Sequence, residues 1–462
     1  MYSNTTGDGQ NTATGYQALY ASTGSELAAF GTQALGANTT GNKNAAFGAQ
    51  ALRNNTTASN STAVGYQALY SSTTTGNLTA VGYQALTANT SGDRNTAVGY
   101  QALKANTTGG INTAFGKDAL VACTTGSRNT AVGCETMIAL TTGNNNTSMG
   151  VDAARALTTA TGNTAIGDQS IRYNSTGNNN TALGYFALFG ASGNSHDNNT
   201  AIGYATLYSL TTGYSNTAVG LQALTNNTTG YSTTAVGQNA LVAQTTGFYN
   251  TAVGQLAGDK LTTGAYNVII GNEAARSAGS NLTTGQYNTI IGCYSGTSNS
   301  NGQKQIVIGY NVAGQADANV TIGSSSGKIY NAFESNATWT QTSDGTMKNV
   351  VGPDTLGLSF INRLNPIKFT WKAQNELPTD HPYYNEVNSK DTTTVIHGFV
   401  AQEVKAALDA EGCTTFNGWD QGPDGIQAIS REMFISPLVK AVQELSAQVE
   451  QLKAEIATLK GN

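Results

Sequence analysis

The chain has 462 residues, 39% hydrophobic and 11% charged, with a formal net charge of −5. That length exceeds one compact domain. No run approaches the roughly 18 apolar residues of a membrane span, and residues 1–30 have neither the basic start nor the apolar core of an export signal, so no membrane insertion is expected. The sparse, acidic charge argues against nucleic acid as a partner. Cys123, Cys134, Cys293 and Cys413, with His196, His381 and His397, form neither a disulfide framework nor a metal-ligand spacing, so no metal and no cofactor are expected.

From the first residues to about residue 325 the chain repeats itself. Aligning segments such as Asn95-Thr96-Ala97-Val98-Gly99-Tyr100-Gln101-Ala102-Leu103 gives marker glycines from Gly15 and Gly31 through Gly99, Gly167, Gly203 and Gly292 to Gly323. Most steps are 17 residues; single steps of 16, 19, 21 and 14 interrupt about 19 units. The residue before the glycine is nearly always aliphatic or aromatic, as at Val64, Phe115 and Leu183, and a second apolar position lies four residues after it, as at Leu69, Leu86 and Leu103. Two short extended segments separated by Thr-Gly or Asn-Gly turns fit this pattern, whereas Thr, Asn and Gly crowd out a helix. Such segments fold only when stacked, each coil pairing its backbone with the next. All six prolines lie beyond residue 338, in keeping with a ladder that needs every backbone donor. The spacing therefore predicts a mainly β chain with a parallel β-solenoid over 1–325, roughly 90 Å long at about 4.8 Å per coil. His196 falls in the 19-residue unit and reads as a solvated loop residue. Tyr16, Tyr66, Tyr83 and Tyr100 read as outward and either cover neighbouring coils or offer a polar, aromatic face to a glycan.

The Asn-Thr-Ala-Val-Gly unit resembles the head repeat of trimeric autotransporter adhesins of the YadA type. That resemblance implies a trimeric β-roll, although the period of 17 is longer than that family's repeat and the family's membrane anchor is missing.

Composition changes near residue 340. Residues 1–340 carry 12 basic and 12 acidic side chains; residues 341–462 carry 10 and 15, so the whole net charge belongs to the tail. Residues 326–342 read as a connector and 343–462 as a second, small α+β domain. It opens with Thr342-Ser343-Asp344-Gly345-Thr346-Met347-Lys348. A serine hydroxyl becomes a nucleophile when a base takes its proton, and a desolvated lysine can be that base. Next come Leu364-Asn365-Pro366-Ile367-Lys368-Phe369-Thr370-Trp371, then His397-Gly398-Phe399-Val400-Ala401-Gln402-Glu403-Val404. A final helix, about 436–460, carries an unbroken 4-3 apolar pattern of Leu438, Val442, Leu445, Val449, Leu452, Ile456 and Leu459, the pattern of an oligomer seam.

Together these four features resemble the intramolecular chaperone auto-processing domain of phage endosialidases and tail fibres. The resemblance implies a homotrimer on the virion, assembled in the host cytoplasm, whose tail templates the upstream stalk and then cuts itself off in a single turnover. By it, Ser343 is the nucleophile, Lys348 the base and Asp344 the first residue released, with Gln402 and Glu403 in support or in helix packing. Attack of Ser343 on its own carbonyl would need a strained four-membered ring. The Ser343–Asp344 bond therefore calls for a serine from a neighbouring chain, while an N-to-O acyl shift would cut Thr342–Ser343 instead. The stalk is expected to meet a host surface glycan or receptor. The other reading is a trimeric surface adhesin whose last domain trimerises without cleavage.

Overall fold

In the computed structural model, which describes residues 10–277, 280–325, 327–332, 340–341, 349–381, 384–388, 392–421 and 425–461, each repeat contributes one strand of three residues, such as Thr79–Val81 and Thr96–Val98. Alternation along a strand turns the middle residue inward and its neighbours outward. Ala80 and Ala97 are accordingly buried, between outward Thr and Val. Thr79 pairs with Thr96, Ala80 with Ala97 and Val81 with Val98, in parallel. The same register runs coil by coil from Thr12–Thr14 to Asn319–Ser324. The repeat region is thus a parallel β-solenoid of about 18 turns. Gly327–Ala332 then folds back antiparallel on Asn319–Ser324, and Thr340–Gln341 pairs antiparallel with it. The chain divides into two compact units, Met1–Thr342 and Ser343–Asn462.

The repeat spacing predicts two extended segments per coil; the structure has one. After the marker glycine the chain runs through turns in which three non-glycine residues in most regular coils adopt the left-handed conformation, as at Gln84 (φ 55°), Leu86 (φ 51°) and Arg94 (φ 52°). Each such residue costs about 1–2 kcal/mol. At the first two the conformation persists because it aims both amides at adjacent coils: Gln84 N–H donates to the Tyr66 carbonyl at 2.9 Å and Leu86 N–H to that of Ala102 at 3.0 Å. It also drives the leucine side chain into the interior, where Leu69, Leu86 and Leu103 are fully buried. The marker glycine is required twice over. At Gly167 φ is 127°, and a Cβ would stand 2.5 Å from the Gly184 carbonyl oxygen of the next coil.

Opposite the alanines and leucines lies a buried column of asparagines. Asn129 Nδ2 donates to Asn112 Oδ1 at 3.2 Å and to the Gly143 carbonyl at 2.9 Å, and Asn112 Oδ1 also accepts the Asn129 backbone N–H at 2.9 Å. One amide side chain thereby satisfies groups in two other coils that no water reaches. A second column on the surface is built from glutamines: Gln33, Gln50, Gln67, Gln84 and Gln101 each donate to the glutamine one coil earlier at 2.9–3.2 Å. Beyond Gln101 that column becomes Asp118, Glu135 and Asp152. Lys117, Arg155 and Arg172 separate the stacked carboxylates with ion pairs of 3.1–3.6 Å.

Irregular coils absorb their extra residues locally. In the 21-residue coil the surplus forms a hairpin, Arg276–Ser277 against Ser280–Asn281, tied back by Arg276 Nε to Asp259 Oδ1 at 2.7 Å. In the 19-residue coil the surplus lies on the exposed Ala191–Gly193 bulge, and His196, expected in solvent, is 1% exposed. The reason is positional. Its carbonyl caps Gly177 as the Ala160 carbonyl caps Gly143, so His196 holds the column that is glycine in most coils, and its side chain is directed inward. Neither ring nitrogen finds a partner among the described residues. Burial pushes the imidazole down to about 4, weakly opposed by Asp197 and its own backbone.

The outward tyrosines do lie at the surface, and they stack on one another. Tyr66, Tyr83 and Tyr100 have centroids 5.4 and 5.3 Å apart with planes within 19° and 8°. Tyr83 is thereby stacked on both faces, and Tyr66 and Tyr100 each on one.

Candidate functional site

The second unit is built around an aromatic core. Phe360 of α1 (Leu358–Arg363) stacks on Phe434 at 6.2 Å, Phe399 stacks on Phe434 at 5.4 Å, and Phe416 meets Phe434 edge-on at 5.2 Å. Val404, Ala407 and Leu408 of α2 (Ala401–Ala410) close it. The Leu364–Trp371 stretch becomes a strand, Ile367–Phe369, that pairs antiparallel with Ile396–Gly398, placing Lys368 opposite His397. That second strand leads directly into α2. A small hairpin follows, Trp419–Gln421 against Gln427–Ile429.

Gln402 and Glu403 occupy the first turn of α2 and part company, because adjacent helical residues point about 100° apart. Glu403 Oε2 accepts from Asn365 Nδ2 at 3.3 Å, fixing the turn before Pro366. Gln402 instead lines an open cavity of about 560 Å³ with Ile367, Phe369, Trp371, Ile429 and Arg431. His397 is exposed and borders a second cavity of about 350 Å³ with Pro366, Lys368 and Arg431. Arg431, which borders both, was not singled out from sequence; nothing in its local motif marks it, since only the packing of three separate segments brings it there. Ser343, Asp344 and Lys348 lie outside the described residues. Among the described residues no group of three or more His, Cys, Asp or Glu side chains is placed to hold a metal ion, and no helix is long and apolar enough to cross a membrane.

The last helix, α3 (Ile435–Lys460), has two working faces in its first half. Pro437 and Ala441 are buried against the unit's own core. From the same side Glu444 Oε2 accepts the Leu358 N–H at 2.8 Å, satisfying an orphan donor at the start of α1. A Cβ at Gly357 would collide with that carboxylate. Ser436 Oγ donates to Asp354 Oδ2 at 2.8 Å. The 4-3 stripe borders this buried side and stays open along the rest of the helix: Leu438, Val442, Leu445, Val449, Leu452, Ile456 and Leu459 are 41–78% exposed. Seven aligned aliphatic side chains on one face are therefore left without cover in the single chain.

Residues 343–413 match the sequence model of a peptidase family described as chaperone of endosialidase. The match begins at Ser343, runs through the Ile367–Phe369 and Ile396–Gly398 pair and α2, and ends at Cys413. It supports a chaperone domain of that family at the C-terminal end of the chain. No curated protein and no solved structure matches, so the likeness of the repeats to autotransporter heads rests on the Asn-Thr-Ala-Val-Gly unit alone.

Proposed function

We propose that this chain is a tail-fibre-like viral protein whose C-terminal unit gathers three copies, templates the solenoid stalk and then severs itself from it. The observation that carries the reading is the family match that starts at the Ser343-Asp344 pair. The uncovered stripe on α3 supports it, since a helix with this stripe folds without it and needs other helices to bury it. The strand ladder closes within one chain, coil on coil, as Thr79 pairs with Thr96; what a seed that holds three chains together adds is a high local concentration for packing one stalk against another.

Ser343 is the proposed nucleophile and Lys348 its base. In one route Ser343 Oγ attacks the Thr342 carbonyl carbon through a five-membered ring. The C–N bond breaks, the amine takes the proton, and water hydrolyses the ester to leave Ser343 as the new N-terminus. In the other, Ser343 Oγ of a neighbouring copy attacks the Ser343 carbonyl and the amine of Asp344 leaves protonated as the new N-terminus; water then hydrolyses the ester between the two copies, leaving a Ser343 carboxylate and restoring the attacking hydroxyl. The family likeness favours the second, which makes assembly a precondition of cutting. The released stalk is the part offered to the host, with a surface glycan or receptor as its partner.

A denaturing gel with mass spectrometry of the fragments tests this. The parent chain gives two pieces, Ser343→Ala and Lys348→Met one full-length band, and the N-terminus of the smaller piece names the bond. Equal, uncut bands for parent and variants would remove the peptidase and leave the adhesin reading.

A further inference from the structure

The rungs of the solenoid leave a second apolar surface uncovered, on its outer face. In every rung from Ala28–Phe30 onward, the residue before the marker glycine points outward and is apolar, giving an unbroken row from Phe30 through Val64, Phe115, Leu183 and Val253 to Ile322. Side chains at these six positions are 36–55% exposed. No strand of the row contains a charged residue. Charges such as Arg94, Lys117 and Glu135 sit in the turns, and Arg276 and Lys328 lie in strands outside the row. A row of this length exposes on the order of 1,000 Å² of apolar surface, beyond the few hundred Å² of the largest patch on an ordinary soluble monomer.

What covers it must be long, straight, uncharged and apolar at the same pitch, because the row repeats at the strand spacing of about 4.8 Å. Another copy of this chain meets all four conditions. Its own row has the same pitch and the same lack of charge, and the area offered per copy reaches the roughly 800 Å² per partner of a stable interface. A polysaccharide finds little here, since the side chains of the row carry no amide, carboxylate or guanidinium to bond hydroxyls, and the tyrosines that follow it stack on one another, Tyr83 between Tyr66 and Tyr100.

We propose that this Thr-x-aliphatic strand face is the surface by which three copies of the stalk pack on one another, leaving the Thr-Thr-Gly bends and the glutamine column toward solvent. The assignment rests on the three-copy reading above and adds to it which side of the solenoid faces inward.

Cross-linking of the full chain tests it. In a background with Cys134, Cys293 and Cys413 changed to serine, Val98→Cys and Val236→Cys lie on the face and Thr108→Cys on an exposed bend. Sedimentation first gives the mass of each variant, and a short bis-maleimide is then added. Three-chain particles that cross-link to dimers at Val98→Cys and Val236→Cys, and stay at background for Thr108→Cys, are expected. A three-chain mass with no dimer at either face position, or with equal dimer at Thr108→Cys, overturns the face assignment and leaves the three-copy reading standing. A single-chain mass overturns both.

Discussion

At Thr233 the buried column of asparagines is interrupted, and one neighbouring side chain compensates. Without an asparagine there, Asn250 Nδ2 has no amide oxygen one coil earlier. Gln244, in a column otherwise held largely by Leu and Asn, supplies it at 2.9 Å, while its own Nε2 donates to the Gly247 carbonyl at 3.0 Å. Gln244→Leu should then cost about 1–2 kcal/mol by unpairing the Gly247 carbonyl and taking one of the two acceptors from Asn250 Nδ2, which keeps the Gly264 carbonyl at 2.8 Å, and adding Thr233→Asn should recover most of it. A double-mutant cycle in local hydrogen exchange reads the coupling. His196 gives a pH dependence with a defined sign. Its imidazole titrates near 6.5 when unfolded and at about 4 when folded, so the unfolded coil binds the extra proton first. Stability of this coil should fall as pH drops through 6.5, with the loss complete near 4. Amide exchange across residues 190–200 should accelerate in that window beyond its intrinsic rate, and His196→Ala, the residue found at Ala160 in the same column, should remove the acceleration.

The elements differ in how far the chain announces them. The 17-residue period, the Asn-Thr-Ala-Val-Gly strand and the α3 stripe are written in local pattern, because each coil repeats one solution and each turn of α3 repeats another. The expected second extended segment per coil is absent: after the marker glycine, bonds to the coils on either side hold residues such as Gln84 and Leu86 left-handed, which no local pattern announces. His196 was misplaced for the same reason, since its direction is set by its column and not by the serines and glycines around it. In the second unit, α3 separates two roles by face, and a pair of substitutions separates them experimentally. Ala441→Asp places an unpaired charge in the core and should cost about 3–5 kcal/mol, melting the unit by circular dichroism. Leu452→Asp should leave its helical signal in place and reduce the mass in sedimentation toward that of one chain.

For the molecule as a whole, the proposed cut would convert an equilibrium into a rate. With the tail attached, the three proposed copies would keep, even unfolded, the element that gathers them; with it gone, a stalk that unfolds would have lost its route back. Uncut Ser343→Ala should therefore regain its native mass after dilution from denaturant, while the cut parent stalk, treated identically, should aggregate. Recovery of both to the same extent would show that the tail is dispensable for folding.

A stack whose rungs are nearly interchangeable has little means of knowing where it is along its own length. Copies lying side by side and displaced by one coil would meet almost the same threonines and valines, so slippage would carry scarcely any penalty. The departures from uniformity would then act as notches on a ruler: the bulge at 191–193, the pair Arg276–Ser277 and Ser280–Asn281, and the alternating charges from Lys117 to Arg172 would each coincide with their counterparts at a single offset. In such an assembly the blemishes in the repeat are what would align a monotonous polymer.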